Sequence, residues 1–304
     1  MAPMRISELY AGEGPVFSFE FFPPKTDAGY RSLYRSIGDL KRLAPGFVSV
    51  TCGAQGATRA KTADLVIRIQ QELGITAMAH MTCTGQSAQE LGATLDELAG
   101  AGIQNVLALR GDPPKDQPDW QPVPGGFRHA SELAAFIKSR GAFTLGGACY
   151  PEKHPQALNL EADVANLAKK IDAGVEFLIT QLFLDNADFF HFRDVARRAG
   201  LPVPIVPGIM PMISLQNLRA AMRLSPGSKV PDELETALAE VAGDPQRSLE
   251  VGVDWATLQC RELLANDVPG IHFYTLNRSP ATRRVRENLD GSAKPRVRRN
   301  PGGS

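Results

Sequence analysis

The chain has no excess charge of either sign, because Lys and Arg total 33 and Asp and Glu also total 33. A main partner such as nucleic acid or an anionic membrane usually requires a basic surplus, so we expect neither. No apolar run is long enough to cross a bilayer. Residues 1–14 contain no apolar segment typical of a secretory signal. These absences predict a cytoplasmic protein with small-molecule partners.

Cysteine is also scarce, and the four cysteines show no CxxC spacing: Cys52, Cys83, Cys149 and Cys260. This usage is typical of reduced thiols in a cytoplasm rather than of a disulfide framework. The apolar fraction of 43% is that of a globular protein with a full hydrophobic core. We therefore expect packing, and not covalent cross-links, to hold the fold together.

Short apolar segments alternate along the chain with amphipathic helical segments. The predicted strands are Val16–Phe21, Phe47–Val50, Ala77–His80, Val106–Leu109, Thr144–Ala148, Phe177–Thr180, Pro204–Val206 and Gly270–Tyr274. Eight strands alternating with helices favour an α/β fold, a parallel eight-stranded (β/α)8 TIM barrel, as one domain over residues 1–290. The rival is an open doubly wound sheet, which is weakened because no GxGxxG or Walker pattern follows a strand.

Some segments fall outside the regular alternation. The stretch from Pro207 to Gly270 is too long for one helix, and two or three helices are predicted there. Ser87 and Ser131 are predicted to be helix N-caps. Residues 291–304 combine basic residues with Pro and Gly, which predicts a disordered tail.

The first strand ends in a carboxylate, Glu20, followed closely by two prolines that cannot donate sheet hydrogen bonds. Alternation places three phenylalanines on one face and Ser18 and Glu20 on the other. Burial in so apolar a strand disfavours the charged form of a carboxyl group, as a proton donor at neutral pH requires. The alternative is that Glu20 reaches solvent beyond the prolines.

Polar residues follow nearly every predicted strand, and in a (β/α)8 barrel the chemistry lies where strands end. The strand-end residues are Glu20, Thr51, Cys52, His80, Arg110, Gly111, Asp112, Tyr150, His154, Gln181, Asp185 and Arg278. Seven polar strand ends on one rim predict a large concave polar site. The helix after the fifth strand adds Asp163, Asn166 and Lys170, whose spacing puts them on one face. This face is predicted to bind an extended polar ligand, such as a dinucleotide.

Six blocks carry these residues: FSFEFFPPK, ALRGDPP, YPEKHP, ITQLF, PGIMP and HFYTLNRSPATR. In their order and content they resemble the methylenetetrahydrofolate reductase family, from Phe17 to Arg286. The resemblance implies a FAD-containing barrel that reduces 5,10-methylenetetrahydrofolate to 5-methyltetrahydrofolate with NADH or NADPH in a ping-pong reaction. It also implies a homo-oligomer, with a dimer favoured.

The resemblance implies roles for individual residues as well. Glu20 matches the glutamate that protonates N10 of the folate, and Asp112 and Gln181 match the aspartate and glutamine that complete the catalytic set. Thr51 matches a nicotinamide contact. The FAD-binding positions are Cys52, Ala54, His80, Arg110, Gly111, Asp112, Ala130, Tyr150, His154, Ala157, Asp163, Asn166, Lys169 and Lys170. The positions that match substrate contacts are Asp112, Gln181, Asn217 and Arg278.

The chain departs from the family pattern at four positions. These are Cys52, in place of a frequent tyrosine; Leu215, in place of an aromatic residue; Asn217, near a frequent glutamine; and Ala221, near a phenylalanine of some members. We expect these changes to alter substrate stacking and affinity, with the chemistry intact. The chain ends soon after the barrel, so control by S-adenosylmethionine through the long C-terminal domain of animal members is not expected.

Two other functions remain open. Cys52, Cys83 and Cys149 could share a rim with His80 and His154 and bind zinc, as in zinc-dependent methyltransferase barrels. The absence of paired-ligand spacing disfavours this reading, and no metal site is predicted. The second alternative is a non-catalytic barrel that binds flavin or folate, which would not require a buried acid.

Overall fold

The computed structural model describes residues 4–52, 59–112, 120–225 and 227–291. Its strands are β1 (Val16–Phe21), β2 (Phe47–Val50), β3 (Ala77–Thr82), β4 (Asn105–Leu109), β5 (Thr144–Cys149), β6 (Phe177–Thr180), β7 (Ile205–Val206), β8 (Gly208–Ile209) and β9 (Gly270–Tyr274). Its helices are α1 (Ile6–Tyr10), α2 (Asp27–Lys41), α3 (Arg59–Leu73), α4 (Ala88–Gly100), α5 (Ala130–Arg140), α6 (Leu160–Asp172), α7 (Asn186–Arg198), α8 (Leu215–Leu224), α9 (Asp232–Glu240), α10 (Pro245–Ala265) and α11 (Pro280–Leu289).

All strand pairs are parallel, in the order β7-β6-β5-β4-β3-β2-β1-β9-β8. Only Pro207 separates β7 from β8, and proline has no N–H to donate to a ladder. Because β7 pairs with β6 and β8 pairs with β9, one split strand brings the two ends of the sheet together. The N–H of His272 donates to the Pro207 carbonyl at 2.9 Å across this junction.

The architecture is therefore the predicted (β/α)8 barrel, nearly closed. The prediction for the seventh strand, Pro204–Val206, was wrong in its bounds, because the strand position continues past Pro207 in a second short piece.

Alternation in β1 separates the two layers of the core. Phe19 and Phe21 are buried and belong to the apolar cluster that includes Leu33 and Ile37 of α2. Ser18 points the other way and bonds His272 inside the barrel. The phenylalanines thus fasten the helical layer to the sheet, and the small polar face of the strand is left for the barrel interior.

Helix α1 closes the amino-terminal mouth of the barrel, a feature that was not predicted. Ile6 is fully buried in an apolar cluster with Phe47 and Met78. Its backbone N–H donates to Oδ1 of Asn105 at 2.8 Å, and Nδ2 of Asn105 donates to the Met4 carbonyl at 3.0 Å. The buried Asn105 at the start of β4 therefore anchors α1 in this mouth of the barrel.

The helix ends were predicted in part. Ser87 caps α4, and its capping box with Glu90 is present. The prediction of Ser131 as an N-cap was wrong: α5 begins at Ala130, and the Glu132 carboxylate accepts from the N–H of the capping residue, His129. Three helices, α8 to α10, fill the region predicted to hold two or three. Ala54 and residues 292–304 of the predicted tail lie outside the described residues.

Across the described part of the chain, no helix combines the length and the apolar character needed to span a membrane.

Candidate active site at the carboxyl ends of the strands

Glu20 lies at the carboxyl end of β1 with 17% of its side chain exposed. Its Oε2 atom is 3.5 Å from Nε2 of His80 and 3.5 Å from Nε2 of His272. His272 is on the adjacent strand, β9, whereas His80 on β3 reaches Glu20 past β2. The β2 residue paired with Glu20 is Ser49, whose side chain is small. Two imidazoles thus approach one oxygen of the carboxyl group.

His272 is fixed on both nitrogens. Its Nδ1 is 2.7 Å from Oγ of Ser18, and its Nε2 is 3.4 Å from Oγ of Ser49. The ring is fully buried and stacks on Phe47 with centroids 5.9 Å apart. The expected apolar surroundings of the carboxyl group were therefore wrong: histidines and serines lie beside it, because β1 turns Phe19 and Phe21 to the helices.

His80 is buried and neutral at pH 7. Burial lowers its pKa to about 4, although the neighbouring Glu20 charge acts in the opposite direction. Its Nε2 has no hydrogen-bond partner within the described residues. The sequence placed His80 at a flavin position, and the structure places its free nitrogen against the candidate acid.

The loop after β9 forms the rim beside Glu20. Oγ1 of Thr275 donates to the Glu20 carbonyl at 2.6 Å. The Asn277 side chain accepts from the Phe22 N–H at 2.9 Å and donates to the Phe22 carbonyl at 2.8 Å. Leu276 and Asn277 both have left-handed backbones, with φ of 50° and 58°. Such strain persists where surrounding contacts over-determine it, and here the clamp on Phe22 supplies those contacts.

Below this rim, Tyr274 reaches from β9 past the split strand β7/β8 to β6. Its hydroxyl donates to the Thr180 carbonyl of β6 at 2.6 Å, and its ring meets His272 edge-on at 5.5 Å. Burial raises its pKa well above the ordinary value, and the charge of Glu20 adds to the shift. Gly208 lies beneath the ring, where an added Cβ would come within 2.6 Å of it. The glycine is needed for this close approach.

The loop after β5 and the start of α6 form a second polar region. The Tyr150 and His154 rings meet edge-on at 4.7 Å. Burial raises the pKa of Tyr150, and the nearby Asp112 charge acts in the same direction. The His154 N–H donates to Oδ2 of the buried Asp163 at 2.8 Å, and burial lowers the pKa of the His154 ring.

Lys170 is the cation of this region. Its Nζ donates to the Ala148 carbonyl at 2.8 Å, and burial lowers its pKa. It forms no ion pair with any carboxylate of the described residues. The predicted common face of α6 is therefore not uniform, because Asp163 is buried and Asn166 is exposed, where it accepts from Lys169. A half-buried ammonium group that is in ion-pair contact with no carboxylate of the described residues fits the diphosphate of a dinucleotide such as FAD.

The loop after β4 approaches this region from the other side. The Arg110 guanidinium donates to the side-chain oxygen of Gln156, in the loop after β5. Gly111 has a left-handed backbone with φ of 81°, and a Cβ there would lie 2.7 Å from Oγ1 of Thr84. Asp112, the last described residue before the gap, is exposed. The structure thus brings Arg110 and Asp112 to the same edge as Tyr150.

The remaining predicted positions lie on the same rim with fewer side-chain contacts. Thr51 and Cys52 follow β2 and are half-buried, and the Thr51 carbonyl accepts from Oγ1 of Thr62 at 2.9 Å. Ala130 is the first residue of α5, and the Ala157 carbonyl accepts from Lys153.

The predicted substrate positions are less well assembled. Gln181 follows β6, and its Oε1 accepts from the Leu182 N–H at 3.0 Å. Arg278 is exposed on the rim after β9. Oδ1 of Asn217 accepts from the Ile213 N–H at 3.2 Å, so this side chain is engaged at the start of α8. Within the described residues, Asn217 forms no hydrogen bond with Glu20 or with the second polar region.

Within the described residues the cysteines and histidines do not form a metal-binding group, although Cys52 and His80 line one small cavity. Burial raises the pKa of Cys83 to about 12 and raises that of Cys149, so both stay thiols. Sγ of Cys83 donates to the backbone carbonyls of Leu109 and His129. In residues 4–52, 59–112, 120–225 and 227–291, no three His, Cys, Asp or Glu side chains are placed to hold a metal ion. The geometry therefore gives the zinc alternative no support.

Comparison with known proteins covers nearly the whole chain. A family model described as methylenetetrahydrofolate reductase matches residues 5–290. The chain belongs to this family. It is 36% identical over 264 residues to the 5,10-methylenetetrahydrofolate reductase of Pectobacterium carotovorum, and the match covers 86% of each chain. The resemblance inferred from the sequence is thereby confirmed.

Plant relatives are longer. The chain is 37% identical over 275 residues to methylenetetrahydrofolate reductase (NADH) 1 of Arabidopsis thaliana, a match that covers 86% of this chain and 46% of the relative. It spans about half the length of that protein and of its maize counterpart. A solved protein of Clostridium thermocellum, described as binding two copies of 5-methyl-5,6,7,8-tetrahydrofolic acid, superposes with a TM-score of 0.68 at 15% identity. That superposition covers 94% of this chain and 97% of the other, and it supports the fold.

Sequence reasoning missed three residues around the acid: Ser18, His272 and Tyr274. A signal was available, because His272 and Tyr274 share one face of the last strand, as Ser18 and Glu20 share one face of the first. Only the pairing of these two strands reveals that the two faces meet.

Proposed function

We propose that this chain catalyses the FAD-dependent reduction of 5,10-methylenetetrahydrofolate to 5-methyltetrahydrofolate by NADH or NADPH, in a ping-pong reaction. The single observation that carries the proposal is the placement of Glu20. In this member of the family, the partly exposed Glu20 carboxyl group at the end of β1 lies beside the buried His80 and His272, and Ser18 fixes the His272 ring. This arrangement supports general acid catalysis, because the acid is positioned and shielded from bulk water.

The second polar region supports FAD as the cofactor. Lys170 and His154 would hold the diphosphate, and Asp163 would hold a ribose hydroxyl. Bound FAD would accept hydride from the nicotinamide and supply hydride to the folate carbon. Arg110, which donates to Gln156, would hold the loop after β4 against the loop after β5.

The protein supplies the proton. Glu20 would transfer its proton to N10 of the folate while the bond from N10 to the methylene carbon breaks, which leaves an iminium at N5 able to accept hydride. Asp112, after β4, and Gln181, after β6, would orient the pterin ring. The pair of Arg278 with a glutamate carboxylate of the folate would fix the substrate tail at the rim.

The test separates the two half-reactions. Glu20→Gln should keep its flavin and remain reducible by NADH, because flavin reduction needs no acid at N10. Its re-oxidation by methylenetetrahydrofolate should slow by about 10²–10⁴-fold, the usual contribution of a general acid. Stopped-flow absorbance of the flavin measures each half separately.

Glu72→Gln is the control, since Glu72 is an exposed carboxylate on α3 that pairs with Arg68. Equal slowing of both half-reactions in Glu20→Gln would assign Glu20 to flavin positioning and refute the acid role. A purified parent chain that retains flavin but is not re-oxidised by the folate would favour the non-catalytic binding barrel instead.

We also infer a homo-oligomer, with a dimer favoured. The balanced charge of the chain supports this inference, because copies do not repel each other through a large net charge.

A further inference from the structure

We propose that His80 is a positioning residue for Glu20: its neutral imidazole accepts a hydrogen bond from the protonated Oε2 atom and holds that atom on the β3 side until the folate takes the proton. This inference rests on the proposed role of Glu20 as the acid. It assigns the His80 side chain a task different from the flavin contact implied by the resemblance.

The geometry begins with an unsatisfied atom. Nε2 of His80 is buried, lacks a hydrogen-bond partner in the described chain, and lies 3.5 Å from Oε2 of Glu20. A buried nitrogen without a partner is costly, so a partner is expected in the working state. A small closing movement of the Glu20 side chain would turn this distance into a hydrogen bond. The protonated carboxyl group is the donor that fits.

The two histidines beside Glu20 are not equivalent. His272 has Ser18 on one nitrogen and Ser49 beside the other, so its ring is fixed by its own partners. His80 has no competing partner at Nε2. His272 is therefore held rigidly, whereas neutral His80 can accept a hydrogen bond from the protonated carboxyl group before the folate arrives. That hydrogen bond breaks when the proton moves to N10.

Charge supports the same assignment. Burial keeps His80 neutral, so its ring can accept a hydrogen bond without placing a positive charge beside the acid. Among the described residues, the other titratable side chains facing Glu20 are His272 and Tyr274, both on β9. The Tyr274 hydroxyl is already committed to the Thr180 carbonyl. His80 is therefore the acceptor best placed for the acid proton.

The experiment uses the FAD-loaded full chain with the variants His80→Leu and His80→Gln. His80→Leu should slow folate-driven re-oxidation of the flavin about tenfold, the value of one hydrogen bond converted to a rate. The pH limb of that half-reaction should move to lower pH, because the acid form loses its acceptor. His80→Gln should recover part of both effects, since its amide oxygen can accept. Flavin reduction by NADH should keep its pH profile.

Met78→Leu is the matched control, because Met78 is buried on the same strand and its replacement conserves volume. The double variant Glu20→Gln with His80→Leu should be no slower than Glu20→Gln alone if the two residues act together. Additive slowing, or loss of flavin with equal slowing of both half-reactions, would overturn the inference and leave His80 as a flavin contact. A normal folate half-reaction in Glu20→Gln would instead overturn the acid role itself, and the inference with it.

Discussion

Removing the Tyr274 hydroxyl tests how much one hydrogen bond inside the barrel contributes to stability. This hydroxyl donates to the Thr180 carbonyl at 2.6 Å, and Thr180 is fully buried. Gly208 donates to Oγ1 of Thr180 and not to this carbonyl, because the split at Pro207 interrupts the ladder there. In Tyr274→Phe the Thr180 carbonyl of β6 would therefore lose its hydroxyl donor from β9.

The expected cost follows from that loss. A buried acceptor left unsatisfied costs about 1–3 kcal/mol of unfolding free energy. With a urea m-value of about 3 kcal/mol/M, the midpoint of unfolding should fall by about 0.3–1 M. Equilibrium urea unfolding followed by circular dichroism measures this shift, with FAD at the same saturating concentration for every variant, because bound ligand itself raises the midpoint.

Tyr10→Phe is the matched control. Its hydroxyl is also buried in the barrel; it lies near Ser18 but forms no hydrogen bond of normal geometry with a described residue. Deleting it removes a desolvated polar group without leaving a partner behind, so the midpoint should stay unchanged or rise. If Tyr10→Phe and Tyr274→Phe lower the midpoint equally, the hydrogen bond to Thr180 is not the source of the stability, and the reasoning is refuted.

Two further predictions concern buried charges. Lys170→Ala should lose FAD during dialysis while its circular dichroism is unchanged, because the Lys170 ammonium group fits the diphosphate. Lys61→Ala, which changes an exposed lysine, should retain FAD. Full flavin content in Lys170→Ala would contradict the assignment of Lys170 to the diphosphate. Burial raises the pKa of Glu152 from 4.5 to about 7. Between these two pH values the folded protein binds more protons than the unfolded chain, so its stability falls as the pH rises from 4.5 to about 7. Glu152→Gln should therefore gain stability over the parent at pH 8 but not at pH 4; an equal difference at both pH values would remove Glu152 as the cause.

Local pattern was sufficient for most of the fold. Period-two alternation located β1 and a short apolar segment located β2, both at their observed bounds, and the Ser87–Glu90 spacing located the start of α4. These features depend on neighbours within a few residues, which a sequence displays directly. The seventh strand was misjudged because a short strand interrupted by proline gives almost no alternation to read. The plug helix α1 was missed because five residues are too few for a helical period.

The candidate site divides in the same way. The sequence could identify Glu20, Lys170 and the polar strand ends, because residue type and position after a strand already carry the chemistry. It could not show that His80 and His272 meet one carboxylate oxygen, since these contacts join residues 60 and 252 positions from Glu20. Such contacts depend on strand order, register and barrel closure, which pair the first strand with the last. The proposed acid is thus recognisable from a local stretch of the chain, whereas the histidines and serines around it come together only once the sheet has closed.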